Sequence, residues 1–307
     1  MIENFISVFE QVLILFVLMA FGFIFNKTKK LNKETCKSIS DIVVTFVAPC
    51  VIIKSFIRNY EIHMLKMLCI ALALSAILHI LMIIVSKLLL KANDDKKRRV
   101  LTFASVFSNA GFIALPLQEQ LLGGDGVFYG AAYIVIFNIA MWSFGVAEMS
   151  GDSSVVTLKK LLISPGIIGV VVGVILFVFS IKPPMVVYSV IDYVAALNVP
   201  LPMFIVGYYL AETDLLRAFK DRSLYFCIIL RLLLYPIFTI ILFKLLRIDN
   251  TLLTALAISA SAPVGATASM FSEKFEGDTE FSVKLVAIST LLSIITMPIM
   301  VAIARVV

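Results

Sequence analysis

The chain has 307 residues, 61% of them hydrophobic and only 15% charged, with a mean hydropathy of +1.05 and a net charge of +6. So little charge over this length excludes an ordinary soluble domain, and repeated apolar runs of about 20 residues are long enough to cross ~30 Å of hydrocarbon. The pI of 9.1 does not point to nucleic acid, because the basic residues sit in short loops between apolar runs, where membrane topology accounts for them.

Taken in chain order, the apolar runs predict ten membrane helices over 8–26, 38–57, 66–90, 101–122, 127–148, 165–181, 187–211, 223–246, 252–272 and 281–305. The first lacks a basic n-region and a small-residue cleavage site, so it reads as a span and not as a cleavable signal peptide. The odd-numbered loops carry sixteen cations: Lys27, Lys29, Lys30, Lys33, Lys37, Lys91, Lys96, Lys97, Arg98, Arg99, Lys159, Lys160, Arg217, Lys220, Arg222 and Lys274. The even-numbered loops carry three, Arg58, Lys182 and Arg247. Because cations are retained on the cytoplasmic side, this bias places the odd loops in the cytoplasm and both termini outside a cytoplasmic membrane. Cys36, Cys50, Cys69 and Cys227 are scattered, with no CxxC and no metal-ligand spacing, and read as small apolar packing residues.

The second half of the chain repeats the first. Leu101-Thr102 with Asn109-Ala110-Gly111 returns as Leu253-Thr254 with Ser261-Ala262-Pro263, a shift of 152 residues, which also relates His79 to Arg231. Asp41 and Pro49 return as Asp192 and Pro200, a shift of 151; Leu122-Gly123-Gly124-Asp125 matches Phe275-Glu276-Gly277-Asp278, a shift of 153. Five helices per copy is an odd number, so residues 155–307 must enter the membrane upside down relative to residues 1–150. The expected fold is all-α, with ten transmembrane helices as two inverted five-helix repeats. Two nearly equivalent halves can exchange conformations, the basis of alternating access in secondary transporters.

The chemistry is expected where the fourth and ninth spans carry small and polar residues with a proline. The fourth reads Ser108-Asn109-Ala110-Gly111 through Pro116. The ninth reads Ser259-Ala260-Ser261-Ala262-Pro263-Val264-Gly265-Ala266-Thr267-Ala268-Ser269. Proline removes a backbone donor and displaces the preceding turn, and such breaks are tolerated in a membrane where the freed groups face a cavity or protein. The two broken helices are expected to cross near the midplane and to turn half-helix N-termini towards an anion. Asn109 is the leading ligand contact, since its amide both donates and accepts, and Ser261 is its repeat mate. Gly111, Pro116, Pro263, Gly265 and Thr267 complete the breaks.

These same stretches resemble the auxin efflux carrier family, which includes plant auxin carriers and bacterial dicarboxylate permeases of the malonate and malate type. Asn109-x-Gly-x-x-x-x-Pro116 is similar to its fourth helix, Phe46-Val47-Ala48-Pro49 to its second, and Leu201-Pro202-Met203-Phe204-Ile205-Val206-Gly207 to its seventh. Ala262-Pro263-Val264-Gly265 followed by Phe271-Ser272-Glu273-Lys274 is similar to its ninth. The resemblance covers the whole chain. It implies a crossover of helices four and nine and a homodimer. It also implies a scaffold of helices one, two, six and seven (about 8–57 and 165–211) and a mobile transport domain of the others (about 66–148 and 223–305). Where plant members carry a second proline in the ninth helix this chain has Ala268, so the break is expected to rest on Pro263 and Gly265. The long cytoplasmic loop of many plant members is absent.

Other polar residues fall within the spans. Arg231 lies about nine residues into the eighth, ~13 Å from its start, and is expected either to counter a substrate carboxylate or to reach the cytoplasmic headgroups. Tyr133 and Asn138 are candidate pocket residues. His79 is a candidate proton relay, with packing as its alternative. Lys54 and Lys284 are expected to snorkel, Asp41 and Asp192 to cap their helices, and Gln118, Glu119 and Gln120 to line a hydrated outer end. No catalytic constellation, no nucleotide-binding motif, and no cofactor or metal site is legible. The expected function is secondary transport of a small organic anion, a mono- or dicarboxylate, across the lipid bilayer; a metabolite sensor using the same pocket is the alternative.

Overall fold

The computed structural model describes residues 2–156, 164–214, 218–219 and 221–306, whose regular secondary structure is helical apart from one isolated β-bridge. Lys159, Lys160, Arg217 and Lys220, counted above among the loop cations, lie outside the described residues. The helices are α1 (Ile2–Lys27), α2 (Lys33–Phe56), α3 (Ile62–Leu89), α4 (Asp95–Val106), α5 (Ala110–Ser150), α6 (Pro165–Val178), α7 (Met185–Glu212), α8 (Tyr225–Leu245), α9 (Asn250–Ser261), α10 (Thr267–Lys274) and α11 (Thr279–Val306). Among the described residues seven stretches are long and apolar enough to cross a membrane: Val8–Lys27 of α1, and α2, α3, α5, α7, α8 and α11; α6 and α9 are shorter and apolar.

Local chemistry explains the interruptions. Inside α5, Gly123 adopts φ 61° and ψ −147°, a region essentially closed to residues with a Cβ. The bend falls at the end of the fourth predicted span. In α2, α5 and α8 a wide π turn comes just before a proline: Val43–Val47 before Pro49, Ala110–Ala114 before Pro116, and Leu230–Leu234 before Pro236. Proline offers no N–H, and its ring crowds the carbonyl four residues back; the widened turn absorbs both effects without ending the helix. Helix α2 starts earlier than predicted, because Asn32 caps it by accepting from the Thr35 amide at 2.8 Å. Asp41 therefore lies inside α2 and Asp192 inside α7, and neither is a cap.

Close packing is set by glycine. A Cβ at Gly207 of α7 would lie 1.9 Å from the Met19 carbonyl oxygen of α1, and one at Gly22 of α1 would lie 2.2 Å from the Phe204 carbonyl oxygen. The α1–α7 pair thus approaches backbone to backbone, which lipid-facing helices achieve only with small residues. On the other side, Gly169 and Gly173 of α6 meet Pro49 and Phe56 of α2. Gly22 and Gly173 are 151 residues apart, so a glycine mediates the close approach in both pairs. Helices α4, α9 and the first part of α5 lie deeper: every residue from Leu252 to Val264 is buried.

Candidate functional site

The two breaks predicted from sequence meet. Helix α4 ends at Val106, Phe107 is extended (φ −97°, ψ 103°), and the chain resumes as helix at Ala110. Helix α9 ends at Ser261, and Ala262 is extended (φ −63°, ψ 145°), as expected of a residue preceding proline. The extended segments pair as a short antiparallel bridge between Ser108 and Val264. The Asn109 amide donates to the Pro263 carbonyl at 2.7 Å and the Gly265 amide to the Phe107 carbonyl at 3.0 Å. The Val264 amide, facing away, donates to Ser289 Oγ of α11 at 3.1 Å. In the ninth predicted span the break rests on Pro263 and Gly265, as expected without a second proline. In the fourth it lies at Phe107–Asn109, well before Pro116, whose part is the π turn described above.

Arg231 binds both broken ends. It is fully buried on α8, and its side chain donates to five backbone carbonyls. Nε reaches Ala262 at 3.0 Å; Nη1 reaches Ser105 and Val106, both at 3.3 Å; Nη2 reaches Ser259 at 3.2 Å and Ala260 at 2.8 Å. These carbonyls stand at the C-terminal ends of α4 and α9, where the last turn lacks internal donors and the helix dipole is negative. A guanidinium has five N–H groups, and five carbonyls, with Met82 Sδ 3.8 Å from Nη1, surround them here. The side chain neither reaches the headgroups nor offers a free donor to a ligand.

Beside the bridge is a cavity of about 290 Å³. Asn109, Ala266 and Ser269 lie at its inner end; Val206, Leu210, Met270, Val283, Val286 and Ala287 wall it; Lys33, Glu212, Glu273 and Thr279 stand at its rim. Three polar atoms at the breaks are buried and unpartnered: Asn109 Nδ2, Ser108 Oγ and Thr267 Oγ1. Leaving such atoms unpaired costs ~1–3 kcal/mol each. The amides of Ala110, Gly111 and Phe112 precede the first bond of the resumed helix, which Ile113 donates to the Asn109 carbonyl at 3.0 Å, and so form its positive end. At the rim Lys33 lies 3.7 Å from Glu273, and Glu212 accepts from Asn26 at 2.6 Å.

The other expected site residues fall elsewhere. The Ser261 hydroxyl bonds back to the Ile258 carbonyl at 3.1 Å. Tyr133 packs at a tilt of 50° against His79, with ring centroids 4.7 Å apart, and Asn138 donates to the Ile134 carbonyl of its own helix, 2.8 Å away; neither lines the cavity. Gly111 has open space where a Cβ would stand. Two further polar groups tie helices together away from the cavity lining. Gln118 donates to the Ala255 carbonyl at 2.7 Å and to Ser259 Oγ at 2.8 Å, and Lys54 lies 2.8 Å from Asp192 and 3.7 Å from Glu119. Gln118 is thus a buried tie between α5 and α9 and not part of a hydrated end, and Lys54 is ion-paired. Ser269 belongs to the small-residue stretch singled out in the ninth span, whereas sequence reasoning missed the rim residues Lys33, Glu212, Glu273 and Thr279 as neighbours of the cavity, because they come from separate stretches of the chain.

An all-helical membrane chain with two broken helices joined at their breaks beside a cavity defines a polytopic membrane protein of the transport type. A family model described as membrane transport protein matches residues 7–155 and again residues 152–301. The chain belongs to that family, the auxin-efflux-carrier-like group that its motifs resemble, and the double match is in keeping with a repeat. Two curated relatives span nearly its whole length. An uncharacterized transporter of Methanothermobacter thermautotrophicus is 22% identical over 293 residues, 94% of this chain and 96% of the relative. An uncharacterized transporter of Methanocaldococcus jannaschii is 22% identical over 300 residues, 93% of this chain and 95% of the relative.

Proposed function

We propose that this protein is a secondary transporter that moves a small organic anion, a mono- or dicarboxylate, by alternating access at the joined breaks. The observation that carries this reading is Asn109, which lines the cavity with an unpartnered Nδ2 at the start of the resumed helix; Ser108 Oγ and Thr267 Oγ1, also unpartnered, lie on the adjoining breaks. In this reading a carboxylate takes Asn109 and the free amides, while the apolar walls hold the carbon skeleton. The chain forms ten spans as two inverted repeats, with both termini outside. The rim residues Lys33, Glu212 and Glu273 then face the cytoplasm, and the cavity represents the inward-open state. The Lys54, Glu119 and Asp192 cluster closes the outer side. Helices α1, α2, α6 and α7 form the scaffold, the others move, and the protein works as a homodimer in the cytoplasmic membrane.

The test is a thermal-shift screen of purified protein against small carboxylates, at two pH values, with and without Na⁺. A ligand at about 100 times its Kd adds ~2.7 kcal/mol to the folded state, or about 5 °C in melting temperature for a chain of this size. No stabilisation by any carboxylate would overturn the anion reading. Counterflow in proteoliposomes separates a carrier, which shows accelerated exchange, from a sensor, which binds only.

A further inference from the structure

A second group of unpartnered polar atoms lies between α3 and α5, away from the cavity. Ser75 Oγ, His79 Nε2 and Tyr133 Oη are each buried without a hydrogen-bond partner, and the three residues are 0%, 1% and 0% exposed. Ser75 and His79 are one helical turn apart on the same face of α3. The His79 Nδ1 contact with the Ser75 carbonyl, at 2.8 Å, fixes the tautomer: a carbonyl only accepts, so the proton sits on Nδ1, and Nε2 presents a lone pair. The Tyr133 ring packs against the imidazole, with centroids 4.7 Å apart, and Phe137 closes a further side at 6.2 Å. The three residues are thus neighbours, and two hydroxyls and one lone pair among them are buried without partners.

We propose that Ser75, His79 and Tyr133 form an internal hydration site, in which one water is hydrogen-bonded to all three. The stoichiometry fits: water accepts from the Tyr133 and Ser75 hydroxyls and donates to Nε2, three bonds, the usual number for a buried water. A metal cation fits less well. The site offers no carboxylate, its one nearby carbonyl is taken by Nδ1, and the facing charge from α8 is the guanidinium of Arg231. The charged or titratable groups facing His79 are Tyr133 from α5 and Arg231 from α8. This inference does not rest on the transport reading, because the water would be present whether or not the protein carries a substrate.

The chain has only two histidines, His63 and His79, and His63 is exposed at the start of α3. Imidazole-¹⁵N labelling of the full chain in lipid nanodiscs therefore yields two separable signal sets, with His63 as the internal reference. The expected result for His79 is a protonated Nδ1, an Nε2 shifted by an accepted hydrogen bond, and a through-space cross-peak from water protons to Nε2. Tyr133→Phe and Ser75→Ala should each move the His79 Nε2 signal and leave His63 in place. The wild-type spectrum alone decides the matter if a variant fails to fold. An Nε2 with a free lone pair and no water cross-peak would mean a dry pocket and overturn the proposal. So would a proton on Nε2 bonded directly to Tyr133, or an Nε2 shift that depends on added Na⁺ or K⁺.

Discussion

Replacing Arg231 by methionine removes all five donors that join the ends of α4 and α9 and keeps much of the apolar stem. The carbonyls of Ser105, Val106, Ser259, Ala260 and Ala262 are left in an interior that water does not reach. A hydrogen bond to a charged group contributes ~1.5–3 kcal/mol, but five bonds to one guanidinium do not add. Deleting one partner of a buried charged network typically costs ~3–5 kcal/mol. At about 2 °C per kcal/mol, the ligand-free Arg231→Met protein should melt some 6–10 °C lower, followed by fluorescence-detected size exclusion after heating in detergent. Arg231→Lys keeps the charge but has only three donors in a different geometry, and should recover less than half of the loss. A ligand-free melting point for Arg231→Met within about 1 °C of wild type would refute the capping role. If ligand binding alone were weakened, the residue would return to the role of substrate counter-charge.

Three further outcomes are expected. Asn109→Ala should weaken carboxylate binding about tenfold, the ~1.4 kcal/mol of one hydrogen bond, with little change in ligand-free melting; binding unchanged within about twofold removes Asn109 from the site. Gly207→Ala drives a methyl group into the Met19 carbonyl oxygen and should destabilise by at least ~1–3 kcal/mol. Gly111→Ala, at a helical position with open space, should be neutral or stabilising by up to ~1 kcal/mol; equal effects at the two glycines would refute the packing described for α1 and α7. Gln118→Leu leaves the Ala255 carbonyl and Ser259 Oγ without their donor and should lower the melting temperature by about 2–6 °C; an unchanged melting point would show that the tie between α5 and α9 contributes nothing.

The sequence carried the all-helical membrane class and the position of both breaks, because hydropathy and the small-residue segments around Asn109 and Pro263 are local signals. It misplaced the cause of the first break. Pro116 looks like a breaker in isolation, yet a helix can accommodate proline by widening the preceding turn, and nothing in Ala110–Ala114 announces that choice. Arg231 was legible as an anomaly but not in its role, because its five acceptors lie 28–31 and 125–126 residues away along the chain and are backbone groups without a residue signature. Ser261 failed as a ligand contact for a local reason: a helical serine can satisfy itself one turn back. The rim of the cavity depends on how α7, α10 and α11 converge, which no single segment encodes.

The bridge between Ser108 and Val264 also bears on how such a protein can change. Its two hydrogen bonds run from amide to carbonyl, so they are indifferent to which side chains the neighbouring positions carry. The breaks are clasped to each other by main chain, and any shift of one carries the other with it. Side chains at Ser108, Asn109 and Thr267 can therefore be replaced one at a time while the two main-chain bonds of the clasp stay in place. If the proposed function holds, selectivity and motion are separated within a few residues: substitutions there would retune what is recognised and leave the mechanical join beneath them intact.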